Sequence, residues 1–265
     1  MGVTRELFEL LAGIIECAMI HKHKNGGRKP KLDMEDILLL TITYYRDYLT
    51  FFALQKEFCI DEANTWRWVK WTENILFKQV SQVKEENIDF DKLIYLKNEI
   101  MKTTSEYIVD VTECAIQRPK LIEVQREYYS GKKKKHTIKV QIVIDENTNK
   151  IISVAFAKGS IHDMEVLEKT SNNMNTEASI LGDKGYQGLN NIFKKSLTPK
   201  KKPRNKQLSD EDKTFNSLIS KIRIAIEHVN CQLKIFRILS EKYRSRPKTF
   251  FKRAILICEF YNLMA

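Results

Sequence analysis

The sequence predicts an α/β domain behind an all-α N-terminal region, and three observations lead to that division. Apolar residues recur at helical spacing through the first 83 residues. From Tyr107 onward the pattern changes to short runs rich in β-branched and aromatic residues. Those runs then alternate with helical patterns, the order expected of strands packed under helices. Apolar residues make up 43% of the 265, enough to fill a core and too many for a disordered chain.

Taken in order, Thr4–Ile20 spaces Leu7, Leu10, Leu11, Ile14 and Ile15 on one helical face. His21–Lys31, with Gly26, Gly27 and Pro30, reads as a loop. Asp33 is placed to cap a second helix running to Leu49, with Glu35 and Asp36 favourable in its first turn. Thr50 is placed to cap Phe51–Phe58, and Asp61 a fourth helix reaching about Phe77. The short break at Cys59–Ile60 has the length of a helix-turn-helix connection. Residues 84–106 read as a helical linker, which sets the domains at 1–83 and 107–265.

In the second domain, strands are expected from Tyr107, over Thr137–Asp145 and over Ile151–Phe156, the last two joined by a turn at Asn147–Asn149. Ile161–Ser171 reads as a helix, Ser179–Gly182 as a short buried strand, Phe215–Ile238 as a long helix and Thr249–Leu263 as a final one. Three strands, a helix, a strand and a helix is the order of an RNase H-like domain.

The formal charge is +11, and its placement says more than its size. Residues 1–83 balance eleven cations against eleven acids, whereas 118–139 carry eight against two and 198–253 sixteen against five. Two basic blocks in a folding chain point to a polyanionic partner, DNA or RNA first, with a solvated surface as the bland alternative. The five cysteines are scattered and form no CxxC pair, which argues against zinc and for a reduced intracellular setting. Glu6, Glu9 and Glu16 interrupt what would be a signal peptide, and no uncharged apolar run is long enough to span a membrane.

Three carboxylates stand out. Asp110 interrupts an apolar strand, where an unpaired charge is costly unless a cation or backbone amides compensate. Asp183 closes the strand Ser179–Gly182 ahead of Lys-Gly-Tyr-Gln-Gly, a site position or simply a turn-forming aspartate. Glu227 lies in the long helix, and at about 100° per residue Arg223, Glu227 and Lys234 share a face. An ordinary Arg–Glu surface pair is the alternative there. Clustered carboxylates repel unless cations neutralise them, and hard oxygens without a Cys or His cluster favour Mg²⁺ or Mn²⁺.

At these residues the chain resembles the bacterial insertion-sequence transposases with a DDE superfamily endonuclease domain. The matching segments are Val-Asp-Val-Thr-Glu (109–113), Tyr-Tyr-Ser-Gly-Lys-Lys-Lys-Lys-His (128–136), Gly-Ser-Ile-His-Asp (159–163) and Gly-Asp-Lys-Gly-Tyr-Gln-Gly (182–188). They continue with Pro-Lys-Lys-Lys-Pro (199–203), Arg-Ile-Ala-Ile-Glu-His (223–228) and Phe-Arg-Ile-Leu-Ser-Glu-Lys-Tyr-Arg (236–244). The resemblance implies an RNase H-like catalytic core, a mixed sheet flanked by helices, in which Asp110, Asp183 and Glu227 bind two ions of Mg²⁺ or Mn²⁺. It further implies cleavage of transposon ends and joining to target DNA, by at least a dimer assembled on double-stranded DNA. A Tyr-x₂-Arg-x₃-Glu-x₆-Lys signature fits Arg223, Glu227 and Lys234, but Ser220 stands at the tyrosine position. The separation of Asp183 and Glu227 leaves no room for the large insertion some relatives carry.

His162 and Asp163 are either an outer shell to the metals or a helix start. Arg223 and Lys234 suit phosphates near the break. The runs Lys132, Lys133, Lys134, Lys135 and Lys200, Lys201, Lys202, Arg204 suit phosphate contacts or are solvated loops. In the fourth helix, Asn64, Thr65, Arg67 and Lys70 could reach DNA, while Trp66, Trp68 and Trp71 read as core or partner surface, and dimerisation is an alternative for the whole segment. A nuclease without strand transfer and a non-catalytic DNA-binding descendant are the rival functions.

Overall fold

The computed structural model describes residues 2–24, 26–81, 105–171, 174–204 and 207–265. The helices are α1 (Arg5–Lys22), α2 (Met34–Asp47), α3 (Phe51–Glu57), α4 (Glu62–Val80), α5 (Ile122–Tyr128), α6 (Asp163–Ser171), α7 (Asp210–Lys234), α8 (Arg237–Ser240) and α9 (Pro247–Met264). The strands are β1 (Glu106–Ala115), β2 (Tyr129–Ser130), β3 (Lys135–Asp145), β4 (Ile151–Lys158), β5 (Ser179–Leu181) and β6 (Lys195–Leu197). Most of the helical linker expected over 84–106 lies outside the described residues, and Glu106 already opens β1. No helix among the described residues is long and apolar enough to cross a membrane.

The chain packs as two units, residues 1–84 with 232–264, and residues 85–231. The first unit is helical, and its helices start where their caps dictate. Thr4, Asp33, Thr50 and Asp61 each accept a hydrogen bond from a first-turn backbone N–H. α2 stops at Asp47, two residues short of the expected end, because Tyr48 adopts left-handed backbone with φ +50°. Division by chain order and division by packing differ at the C-terminus: α8 and α9, carried with the second domain in the sequence reading, pack on the N-terminal helices. Arg253 of α9 shows why. Its guanidinium is buried and reaches Glu73 of α4 at 2.6 Å, Tyr243 at 2.9 Å and Tyr44 at 3.2 Å. Nothing in the apolar spacing of α9 reveals that its one buried cation is matched by a buried acid 180 residues earlier.

The second unit is a mixed sheet in the order β4-β3-β1-β5-β6, with β2 paired to the start of β3. β1, β3 and β4 form an antiparallel meander; β5 and β6 run parallel to β1. This is the RNase H-like arrangement of a mixed sheet flanked by helices. Tyr107 and Val109 face a core with Val143, Leu167, Ile180, Tyr186 and Phe193, and alternation sends Asp110 to the opposite face. The long helix differs from expectation at both ends. It begins at Asp210 and breaks after Lys234, with α8 starting separately at Arg237. α5, β2 and β6 were not anticipated, being too short for a periodic signal to register.

Candidate active site

Strand register brings the two aspartates together. Ile108 of β1 pairs with Leu181, the last residue of parallel β5, so the chain leaves β5 toward Asp183 at the level where β1 reaches Asp110. Neighbouring strands lie about 4.8 Å apart. The charges feel each other: Asp110 is pushed up to about 6, first by burial and then by Asp183 and Asp163, against the opposing pull of Arg223.

Asp183 is the N-cap of a 3₁₀ turn over Lys184–Tyr186, and its Oδ1 accepts from the Gly185 N–H at 2.6 Å. A side chain at residue 185 would put its Cβ only 2.8 Å from that oxygen and 3.5 Å from Asp163 Oδ2. Glycine is therefore required for the carboxylate to dock on the backbone, and the same contacts place Asp163 next to Asp183. Asp163 is held from below by Lys139 of β3, whose buried ammonium reaches Asp163 Oδ1 at 2.6 Å and also the Ile161 carbonyl. Tyr186 is buried in the core, with its hydroxyl 3.3 Å from Gln141 Oε1. Burial and the charges of Asp110, Asp163 and Asp183 push that phenol well above its ordinary range.

α7 supplies the third acid and the groups around it. Ile219, Ile226, Asn230 and Leu233 are buried, so this stripe is the helix's inner face. Arg223 and Asn230, two turns apart, lie on or beside it. Arg223 Nη2 stands 3.6 Å from Asp110 Oδ1 and 3.9 Å from Glu227 Oε1, linking the two acids. Asn230 Nδ2 donates to Asp110 Oδ2 at 3.0 Å. Glu227 sits at the edge of the stripe with its side chain 58% exposed, which departs from the partly buried face its apolar neighbours suggested. Among the described residues, no three His, Cys, Asp or Glu side chains stand as a ready-made metal cage. What the site offers is two adjoining aspartates, a third behind them, and a glutamate joined through a shared arginine.

Two buried polar atoms in this cluster have no hydrogen-bond partner, Asn230 Oδ1 and Arg223 Nε. An orphaned carbonyl oxygen beside a crowded carboxylate is a place a cation can satisfy. The remaining donors are carboxylate oxygens, which suit hard divalent ions. The residues therefore fit such ions.

The other sequence-predicted residues fall into distinct settings. His162 is exposed, and its Nδ1 accepts from the Met164 N–H at 3.3 Å, a capping role at the start of α6. Lys234 ends α7 and is exposed. Lys132, Lys133 and Lys134 form the exposed turn between β2 and β3, and exposed Lys135 opens β3. Lys201, Lys202 and Arg204 are exposed, and the backbone of Lys200 is clamped through both its N–H and its carbonyl by the Asn216 amide of α7. Ser220, at the signature's tyrosine position, is exposed and its hydroxyl returns to the Asn216 carbonyl.

In α4, Asn64 and Arg67 are exposed and hydrogen-bonded to one another, and Lys70 is tied to Glu73 at 2.9 Å. Thr65 requires correction. It is fully buried on the Thr65–Val69–Thr72–Leu76 face, with its hydroxyl spent on the Asp61 carbonyl, so it cannot reach a base. Arg223 likewise turns its guanidinium to two acids rather than outward. Sequence reasoning missed Asn230 and Lys139. The first carried a signal, seven residues beyond Arg223 on one face; the second, a lysine inside an apolar strand, resembled a surface residue of the alternation.

Comparison with known proteins identifies the family of the chain. Residues 109–260 match the family described as DDE superfamily endonuclease, and residues 30–82 match the helix-turn-helix of DDE superfamily endonuclease. The chain is 38% identical over 264 residues to a probable transposase for insertion sequence element IS702 from Microchaete diplosiphon, covering 98% of this chain and 91% of that protein. No solved structure matches.

Proposed function

The chain belongs to the insertion-sequence transposases with a DDE superfamily endonuclease domain, and from that premise we propose that it cuts transposon ends and joins the freed 3′-hydroxyls to target DNA. The observation that carries the reading is the electrostatic coupling of Asp110 on β1 to Asp183 just past the end of parallel β5, with Glu227 tied to Asp110 through Arg223. Asp110, Asp183 and Glu227 would hold two ions of Mg²⁺ or Mn²⁺, which supply activation of a water or 3′-hydroxyl and stabilisation of the departing oxygen.

The chain's own groups prepare that site. Arg223 offsets the repulsion between Asp110 and Glu227, Asn230 orients Asp110, and the Gly185 N–H fixes Asp183. Lys139 and Asp163 form an outer pair whose charges cancel locally. Exposed Lys132–Lys135, Lys200–Lys202, Arg204 and Lys234 supply phosphate contacts, and Asn64, Arg67 and Lys70 on α4 belong to the helix offered to duplex DNA. Cutting two ends calls for two copies assembled on the DNA.

The test is a cleavage and strand-transfer assay in Mg²⁺ on duplexes bearing the element's own ends. Wild type should give nicked and joined products. Asp183→Asn should abolish both while DNA binding stays within about twofold, since an acid makes no counterion-releasing contact with DNA phosphates. Cleavage at wild-type rate in that variant overturns the assignment, and cleavage without joined product reduces the function to that of a nuclease.

A further inference from the structure

We propose that a pocket at the foot of the lysine turn holds an unpaired nucleotide of the DNA, its base against Tyr129 and its phosphate on Arg118 and Arg126. The proposal deepens the DNA-cutting reading and rests on it for the identity of the polyanion. The cavity, about 450 Å³, lies entirely in the second unit and is lined by Arg118, Gln125, Arg126, Tyr129 and His136. That volume suits a small ligand rather than a duplex.

The chemistry of the lining is selective. It joins two guanidinium groups, an imidazole and a phenol ring, with no carboxylate among the described residues that line it. Tyr129 and His136 are cross-strand partners on β2 and β3, their ring centroids 5.7 Å apart and tilted by 70°. Tyr129 is thus held at one edge while 43% of it stays exposed. Gln125 fixes the opposite wall: its Oε1 accepts from Arg118 Nε at 2.9 Å, and its Nε2 donates to the Pro119 carbonyl. Arg118 is therefore steadied through one nitrogen and keeps its terminal nitrogens for an anion.

Two further features point the same way. Leu121 and Ile122 are each 68% exposed and lie one helical turn before Gln125 and Arg126, on the same side of α5. Exposed aliphatics beside cations suit contact with bases better than contact with phosphate alone. The lysine turn is also set rather than loose, since Lys134 N–H donates to the Ser130 carbonyl and Lys133 N–H to Ser130 Oγ. An aromatic face, guanidinium groups and a rim of apolar side chains together recognise a base with its phosphate. In an intact duplex the base faces are stacked away, so the nucleotide must be unpaired.

The test measures binding by full-length protein in EDTA, which separates it from catalysis. Fluorescence anisotropy compares three duplexes of one sequence: blunt, with a three-thymidine 5′ overhang, and with the same overhang made abasic. Wild type should bind the thymidine overhang about tenfold tighter than either other duplex, the scale of stacking on one aromatic side chain. Tyr129→Ala should erase that preference, and Tyr129→Trp should keep it. Asp183→Asn should also keep it, so failure of the catalytic assignment leaves this result standing. Equal affinity for abasic and thymidine overhangs, or a preference that survives Tyr129→Ala, overturns the proposal even if the protein cuts and joins DNA normally.

Discussion

Replacing Asp110 by asparagine should make the metal-free protein more stable at pH 8. Asp110 is pushed up to about 6, chiefly by burial, from an ordinary value of 3.8. At about 1.4 kcal/mol per pH unit, that gap is worth about 3 kcal/mol in favour of the neutral acid. The sign follows from linkage. A folded-state value above the unfolded one means the unfolded chain releases this proton first, so stability from this group is full below about 3.8 and declines as pH rises to about 6. Above that the whole penalty is present. Asparagine is neutral throughout and can still accept from Asn230, so the variant escapes the penalty. With the side chain one-fifth exposed, solvent trims the gain to about 1–3 kcal/mol. Urea denaturation in EDTA at pH 8 and pH 4.5 reads it directly, and the gain should shrink to about a third at the lower pH. A variant equally or less stable than wild type at pH 8 would refute the claim that a desolvated carboxylate strains this site.

Three other outcomes follow from named contacts. Arg253→Ala leaves the buried Glu73 with Lys70 as its remaining counterion and should destabilise the helical unit by about 3 kcal/mol, measured by thermal or urea unfolding. Gly185→Ala brings a Cβ within 2.8 Å of Asp183 Oδ1; cleavage should fall at least about tenfold while DNA affinity holds, and unchanged cleavage would mean the turn adapts freely. Asn230→Ala removes the donor to Asp110 and should lower cleavage and raise the Mg²⁺ concentration needed for half-maximal rate, with partial recovery in Asn230→Gln; an unchanged Mg²⁺ requirement would reduce Asn230 to packing.

Much of this was written locally in the chain. The caps Asp33, Thr50 and Asp61 announce their helices because a cap needs only a side-chain oxygen three residues or fewer from its amide. Asp110 is visible because a charge inside an alternating apolar strand has few explanations. Lys139 has the same kind of setting but was passed over, since its partner Asp163 lies 24 residues away and only the fold brings them together. Thr65 went wrong for a related reason. Four polar residues close together on α4 look alike in sequence, and only the packed face separates Thr65 from Asn64 and Arg67. The break after Lys234 and the return of α9 to the N-terminal helices depend on contacts across almost the whole chain, beyond any periodicity.

The arrangement of charges explains how a fold can carry such a site before any DNA arrives. Asp110, Asp163 and Asp183 within mutual electrostatic reach would repel strongly if left alone. Lys139 cancels Asp163 from below, and Arg223 partly cancels Asp110 and Glu227 from α7. The two cations are not equivalent. Lys139 is buried and locked at 2.6 Å, a permanent counterion. Arg223 stands at 3.6 and 3.9 Å, too far for strong hydrogen bonds, with Nε unsatisfied. A loosely held guanidinium between two acids can be displaced at modest cost by a cation of higher charge density, whereas Lys139 cannot. On the proposed reading, the asymmetry would leave Asp110 and Glu227 free to exchange their counterion and keep Asp163 paired with Lys139. Arg223→Lys, a smaller cation without the planar fork, should therefore preserve stability better than it preserves cleavage, while Lys139→Met should cost stability first.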